Sequence, residues 1–456
     1  MRLFVELGAT HAAYPGTPCW AAPNPVTTDT SVPCWVVSTL PSAPARRPDR
    51  VTLVSRSVEI ADPGPLIDLL PDDGPLSWVR HGDGLVGWGE TARLRTHGSD
   101  RFTDAERWWR DVTSGAVVRD EVALPGSGLV AFGSFAFAGH PGESVLVVPE
   151  IVVARRGDVA WVTTIGNAAL PPLPDVTVAS PASPPGEVVF TDGAMSGTAW
   201  EGVVAEAVAR IGAGHLDKVV LARDLVAETE VAVDVRWPLR RLAERYPSCW
   251  TYHVDGLFGA TPELLVRRER GLVTSRVLAG TIRRTGDDAH DLALAASLAR
   301  SSKDLEEHEY AVRSVARSLS PHCTSMNVPE TPFVLHLPNV MHLATDLAGV
   351  IDDDTTSLGL AAALHPSAAV GGTPTASAVG LIAEIEGMDR CRYSGPVGWI
   401  DAQGDGEWGI ALRCAHVEGR RLRLFAGCGI VADSDPEAEL AEAQAKFIPV
   451  RDSLEV

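Results

Sequence analysis

Two short acidic runs carry spacings that could hold a metal ion. In Ser301-Ser302-Lys303-Asp304-Leu305-Glu306-Glu307-His308, Asp304 and Glu307 stand three residues apart. On a helix that spacing puts both carboxylates on one face. In the run that opens with Asp435-Pro436, Glu439, Glu442 and Lys446 fall at i, i+3 and i+7, again one helical face. Two helices presenting two carboxylates each could share a hard cation such as Mg²⁺, which takes oxygen ligands and retains water. The competing reading is that acidic residues near helix starts complement the dipole and face solvent. Spacing alone leaves both open. Tyr393, Arg413 and Lys446 are residue types that hold anions, and Gly427 and Gly429 close an apolar strand-like run. The block from Arg392 to Lys446 therefore suggests a small anionic substrate beside a divalent cation.

The elements that must position these residues are partly readable. Ser301, with Asp304 three residues on, marks a helix start, and Asp435 followed by Pro436 marks a second, as N-cap and first helical residue. Asp291 to Leu319 reads as one long helical stretch. Within the C-terminal block, strand-like runs flank Gly404-Asp405-Gly406, a third ends at Gly427 and Gly429, and the acidic helix follows. Gly404 to Gly409 also matches GxGxxG, but a strand follows where a dinucleotide site needs a helix, so a hairpin is the reading. His308-Glu309 begins a zinc motif that Val312 breaks, and neither a GxSxG elbow nor a Walker A sequence occurs.

Upstream, residues 1–48 are rich in Pro, Thr and Ala without apolar periodicity, which favours an irregular or disordered extension. Residues 49–170 read as mostly strands, with a hairpin around Gly82-Asp83-Gly84 and a short helix in RFTDAERWWRDVTSGA. Residues 171–196, with PPLPDVTVASPASPP, read as a linker, and residues 197–456 as the catalytic core. Many antiparallel-looking strands with interspersed helices indicate α+β and not a doubly wound sheet.

Composition narrows the class. The 456 residues are 45% hydrophobic and 21% charged, ordinary for a soluble globular protein that can bury a large core. A formal net charge of −20 argues against nucleic-acid binding. It also requires that an anionic substrate be drawn by local cations. No apolar run reaches membrane-spanning length, and the N-terminus lacks a secretory signal pattern. Seven scattered cysteines without CxxC read as reduced thiols, so a cytoplasmic location is expected.

Seven segments in unbroken order add a resemblance: DKVVLAR, TPELL, LAGTIRR, SKDLEEH, NVMHLATDLAG, LHPSAAVGGTP and the whole of Tyr393 to Lys446. Over roughly residues 200–450 the chain resembles the chorismate-utilising enzymes, and within them the isochorismate synthases most closely. The resemblance implies a large two-sheet antiparallel β-sandwich flanked by helices, as in anthranilate synthase component I. It implies conversion of chorismate to isochorismate, feeding menaquinone or siderophore biosynthesis. The alternative is a salicylate synthase, which adds pyruvate elimination at the same site.

Residue by residue, Lys218 matches the base that activates water, where amine-adding relatives typically carry glutamine. Glu263 matches the general acid for the departing 4-hydroxyl. The resemblance further implies Mg²⁺ held by Glu307 and Glu442 with Asp304 and Glu439 in support. Tyr393, Arg413, the backbone at Gly427 and Lys446 would hold carboxylate, Gly280 and Thr281 would approach the substrate closely, and His342 would orient the site. The chain departs from the pattern at Ser367-Ala368, often Thr-Pro, and at Cys428, usually alanine. Expected partners are chorismate alone, with no nucleic acid, membrane or glutaminase subunit, in a monomer.

Overall fold

Single strands whose apolar residues point to both sides need two layers to cover them, and that requirement shapes the fold. Along Leu76–Arg80, Leu76 and Trp78 enter one buried cluster while Val79 enters another. Leu85 and Val86, Trp161 and Val162, and Phe425 and Leu424 divide in the same way. The computed structural model describes residues 52–455; the irregular extension expected over 1–48 lies outside the described residues.

Two sheets result. The larger has thirteen strands, ordered Val188–Asp192, Lys218–Thr229, Arg421–Ile430, Cys414–Glu418, Leu257–Thr261, Trp250–Val254, Leu76–Arg80, Asp83–Trp88, Ile151–Arg156, Val159–Asn167, Leu53–Ile60 and Val117–Asp120, with Gly372–Thr373 pairing beside Lys218. The smaller has ten, ordered Cys323–Asn327, Val340–Ile351, Leu272–Arg283, Leu264–Glu269, Gly406–Ile410, Pro396–Asp401, Val130–Ser134, Glu143–Val148 and Ala92–His97, with Phe333–His336 on Val340–Ile351. Only Leu53–Ile60 with Val117–Asp120 is parallel among the described pairings. The architecture is thus the expected α+β pair of largely antiparallel sheets with helices around them.

Trp78, Trp161, Phe132, Trp399 and Trp408 fill the main core. A second cluster lies on the larger sheet's other face, covered by Leu239 and Leu242 of helix Arg236–Arg245 and by Phe447, Val450 and Leu454 of helix Pro436–Leu454. The chain's two parts share both sheets. Thr251 pairs with Val79 in the larger, and Trp399 with Phe132 in the smaller. Between those parts, residues 170–187 carry neither helix nor strand, whereas Val188–Asp192, inside the expected linker, pairs with Lys218–Thr229.

One helical expectation is corrected. The stretch read as a single helix from Asp291 to Leu319 is two, Asp288–Leu298 and Ser302–Leu319. Ser301 accounts for the break, because its side chain accepts from Asp304 N and starts a new helix there. Of the cysteines among the described residues, Cys249, Cys323, Cys414 and Cys428 are free thiols. No helix among the described residues is long and apolar enough to cross a membrane.

Candidate active site

The antiparallel pairing of Lys218–Thr229 with Arg421–Ile430 is the floor of the site. Its register sets Leu221 against Cys428 and Ala222 against Gly427. A Cβ on Gly427 would lie 2.4 Å from Leu221 O, and one on Gly429 would lie 2.8 Å from Lys218 Cε. The strand backbone fills the space at Gly427, and the side chains of Lys218 and Glu307 fill that at Gly429. Lys218 is only 1% exposed, and its Nζ donates to Glu307 Oε1 at 2.8 Å. Glu307 comes from helix Ser302–Leu319, fixed in start and phase by the Ser301 cap.

Glu263 follows strand Leu257–Thr261, its N–H donating to Thr261 Oγ1. Burial pushes its carboxyl up to about 8, against the pull of Arg413, Lys218 and Lys446. It is therefore an uncharged acid at neutral pH. Thr281 and His342 face each other across Leu272–Arg283 and Val340–Ile351, just past a bulge at Gly280, which takes a left-handed φ of 75°. Thr281 Oγ1 lies 3.1 Å from His342 Nδ1, and Arg413 Nη2 donates to His342 Nε2 at 3.3 Å. Burial, then the charges of Arg413 and Lys446, hold His342 well below the usual imidazole range. The ring is neutral, and since Nε2 accepts from Arg413, its proton sits on Nδ1, towards Thr281.

Tyr393 stacks on Phe425 with centroids 5.1 Å apart and planes 7° from parallel. Burial pushes its phenol up to about 12, so it stays a hydroxyl donor. Lys446 Nζ donates to Gly427 O at 3.0 Å and to Glu442 Oε1 at 2.6 Å. Burial works against its charge, but Glu442 keeps it above the usual lysine value. On the same helix, capped by Asp435 as expected, Glu439 Oε1 accepts from Ser434 Oγ at 2.7 Å.

All thirteen residues singled out from the sequence line one cavity of about 290 Å³: Lys218, Glu263, Gly280, Thr281, Asp304, Glu307, His342, Tyr393, Arg413, Gly427, Glu439, Glu442 and Lys446. Sequence reasoning missed its apolar wall, made partly by Leu278, Val370 and Leu412. These flank motif residues, and only cross-sheet pairing reveals which of the neighbours face inward.

The donor set suits a hard cation. Asp304, Glu307, Glu439 and Glu442 bring four carboxylates to the cavity. Glu439 and Glu442 have ligand atoms within 4.8 Å of each other and of Cys428 Sγ. Glu307 is not in that group; its Oε1 is turned to Lys218.

Comparison with known proteins identifies the family. A family model described as chorismate binding enzyme matches residues 173–455. The isochorismate synthase DhbC of Bacillus subtilis is 43% identical over 256 residues, which are 54% of this chain and 64% of that protein. The putative isochorismate synthase MenF of Mycobacterium tuberculosis is 38% identical over 327 residues, 69% of this chain and 83% of that protein. A crystal structure of the putative 2,3-dihydroxybenzoate-specific isochorismate synthase DhbC of Bacillus anthracis superposes with a TM-score of 0.72 at 32% identity, covering 86% of this chain and 99% of that one. Sequence and fold both match, and the chain belongs to the chorismate-binding enzymes.

Proposed function

We propose that the protein is an isochorismate synthase, converting chorismate to isochorismate with Mg²⁺ bound. The observation that carries this reading is the juxtaposition, in one cavity, of a buried lysine and a carboxylic acid kept protonated at neutral pH. Arg413, Lys446 and the Tyr393 hydroxyl supply donors for the substrate carboxylates, in a protein whose overall charge would repel them. With Glu307 turned from Lys218 to the cation, Lys218 as the neutral amine takes a proton from water while the water oxygen bonds to C2. The ring double bonds shift, the C4–O bond breaks, and Glu263 gives its proton to the departing oxygen. One hydroxyl enters and one leaves, so no oxidant or second substrate is required. His342 and Thr281 act by holding Arg413.

Glu307 and Glu442 would hold Mg²⁺, with Asp304 and Glu439 in support. Bound there, the ion would temper the charge of the ring carboxylate and fix the ring. Because Lys218 stands where amine-adding relatives carry glutamine, no glutaminase partner is needed. A cytoplasmic monomer supplying isochorismate to quinone or siderophore assembly completes the reading.

The test is incubation of purified protein with chorismate and Mg²⁺, products resolved by chromatography and NMR. Isochorismate alone is expected. Salicylate with stoichiometric pyruvate would replace this reading with salicylate synthase. Lys218→Ala is expected to lower turnover by about 10² or more while retaining Mg²⁺-dependent chorismate binding; near-normal turnover would remove Lys218 from its role.

A further inference from the structure

The carboxylate end of the cavity contains a donor that an oxygen-only site does not need. Cys428 is 2% exposed and lines the cavity. Its Sγ and the carboxylate oxygens of Glu439 and Glu442 all lie within 4.8 Å of one another. The three donors come from two packed elements, strand Arg421–Ile430 and helix Pro436–Leu454. Hydrogen bonds hold them in place: Cys428 Sγ donates to Glu439 O at 3.4 Å, Ser434 Oγ to Glu439 and Lys446 Nζ to Glu442. A tetrahedral Zn²⁺ with Zn–S about 2.3 Å and Zn–O about 2.1 Å sets sulfur and oxygen roughly 3.6 Å apart. Closing the present corner on such an ion therefore takes side-chain movements on the order of 1 Å.

We propose that this corner binds thiophilic divalent ions such as Zn²⁺, Co²⁺ or Cd²⁺ through Cys428 Sγ, Glu439 and Glu442, in competition with Mg²⁺. The inference rests on the reading of these glutamates as part of the Mg²⁺ site. On binding, the S–H bond breaks, its proton leaves to solvent and a sulfur lone pair forms the S–metal bond; nothing is oxidised. Thiolate selects soft ions, whereas Mg²⁺ gains nothing from sulfur. One residue thus changes which ions the same carboxylates prefer.

Titration with Co²⁺ alone tests it, because a thiolate ligand gives cobalt a near-ultraviolet sulfur-to-metal charge-transfer band. The wild type is expected to develop that band, and Cys428→Ala and Cys428→Ser to lack it. Zn²⁺ affinity is expected to fall about ten- to a hundredfold in both variants. The serine variant keeps the side-chain size should the alanine variant fold poorly. Absence of the band in the wild type, or its persistence in either variant, overturns the proposal. Mg²⁺-supported turnover of chorismate, measured on the same wild-type sample, separates the two failures. Turnover without the band removes the soft-metal site alone, whereas no turnover removes the functional reading beneath it.

Discussion

A carboxylic acid that donates a proton near neutrality must be kept from ionising, and Glu263 is kept so by burial. Its folded value of about 8 lies above the ordinary 4.5. Between those values the folded protein holds a proton that the unfolded chain has released, so this group's contribution to stability falls as pH rises through that window and is flat above it. Glu263→Gln puts a neutral amide in place of the carboxyl and removes the titration. At pH 5 the variant and wild type are expected to melt together, and at pH 9 the variant is expected to melt higher, by the equivalent of a few kcal/mol at most, roughly 1.4 per pKa unit. Calorimetry at the two pH values checks this, and a constant offset would show that Glu263 titrates normally. Turnover should decline as pH rises through about 8 and be lost in the glutamine variant. At this scale much was legible: helical spacing brought out the Asp304/Glu307 and Glu439/Glu442 pairs. That Lys218 would meet Glu307 was not, because 89 residues separate them and the helix carrying Glu307 packs on Leu272–Arg283 of the other sheet.

Elements decide which glycines the site requires, and the two kinds of crowding at them have different consequences. A Cβ on Gly429 would meet Glu307 Oε1 at 2.7 Å and Lys218 Cε at 2.8 Å, both on side chains that can swing aside. A Cβ on Gly372 would meet Lys218 O at 2.2 Å and Val219 Cα at 2.8 Å, both backbone, at a φ of 136° that disfavours any side chain. Gly429→Ala is therefore expected to melt within a few degrees of wild type yet lose most turnover. Gly372→Ala is expected to destabilise by about 1–3 kcal/mol. Thermal melts paired with chorismate turnover distinguish them, and equal melting temperatures would contradict the contrast. Local signals did well here. Ser301 and Asp435 cap their helices as read, and Gly404 to Gly409 lies in the hairpin of Pro396–Asp401 with Gly406–Ile410. The missed break near Ser301 shows the limit: apolar periodicity runs through a junction that only the cap's hydrogen bond reveals.

At the scale of the molecule, the matched family segment begins at residue 173 and so leaves out the N-terminal strands, yet the sheets do not respect that boundary. Strand Leu76–Arg80 lies beside Trp250–Val254, and Val130–Ser134 beside Pro396–Asp401. Glu407 Oε2 accepts from the indoles of both Trp78 and Trp250, at 2.9 and 3.0 Å, one from each side of the boundary. No propensity or periodicity announces such pairings, because they join strands more than 150 residues apart in sequence. Cutting the chain between Pro174 and Asp175, where residues lack helix and strand, leaves these interfaces without their covalent link but chemically intact. Separated, each part would expose the large aromatic side chains of the shared core and leave strand edges unpaired. Residues 175–456 expressed alone are therefore expected to be insoluble or to lack a cooperative melt, although they contain all thirteen site residues. Co-expression with residues 1–174 should restore a soluble complex that turns over chorismate, because the missing link costs only chain-closure entropy. A cooperative melt and full turnover from the C-terminal part by itself would show that the site is organised within the larger half alone.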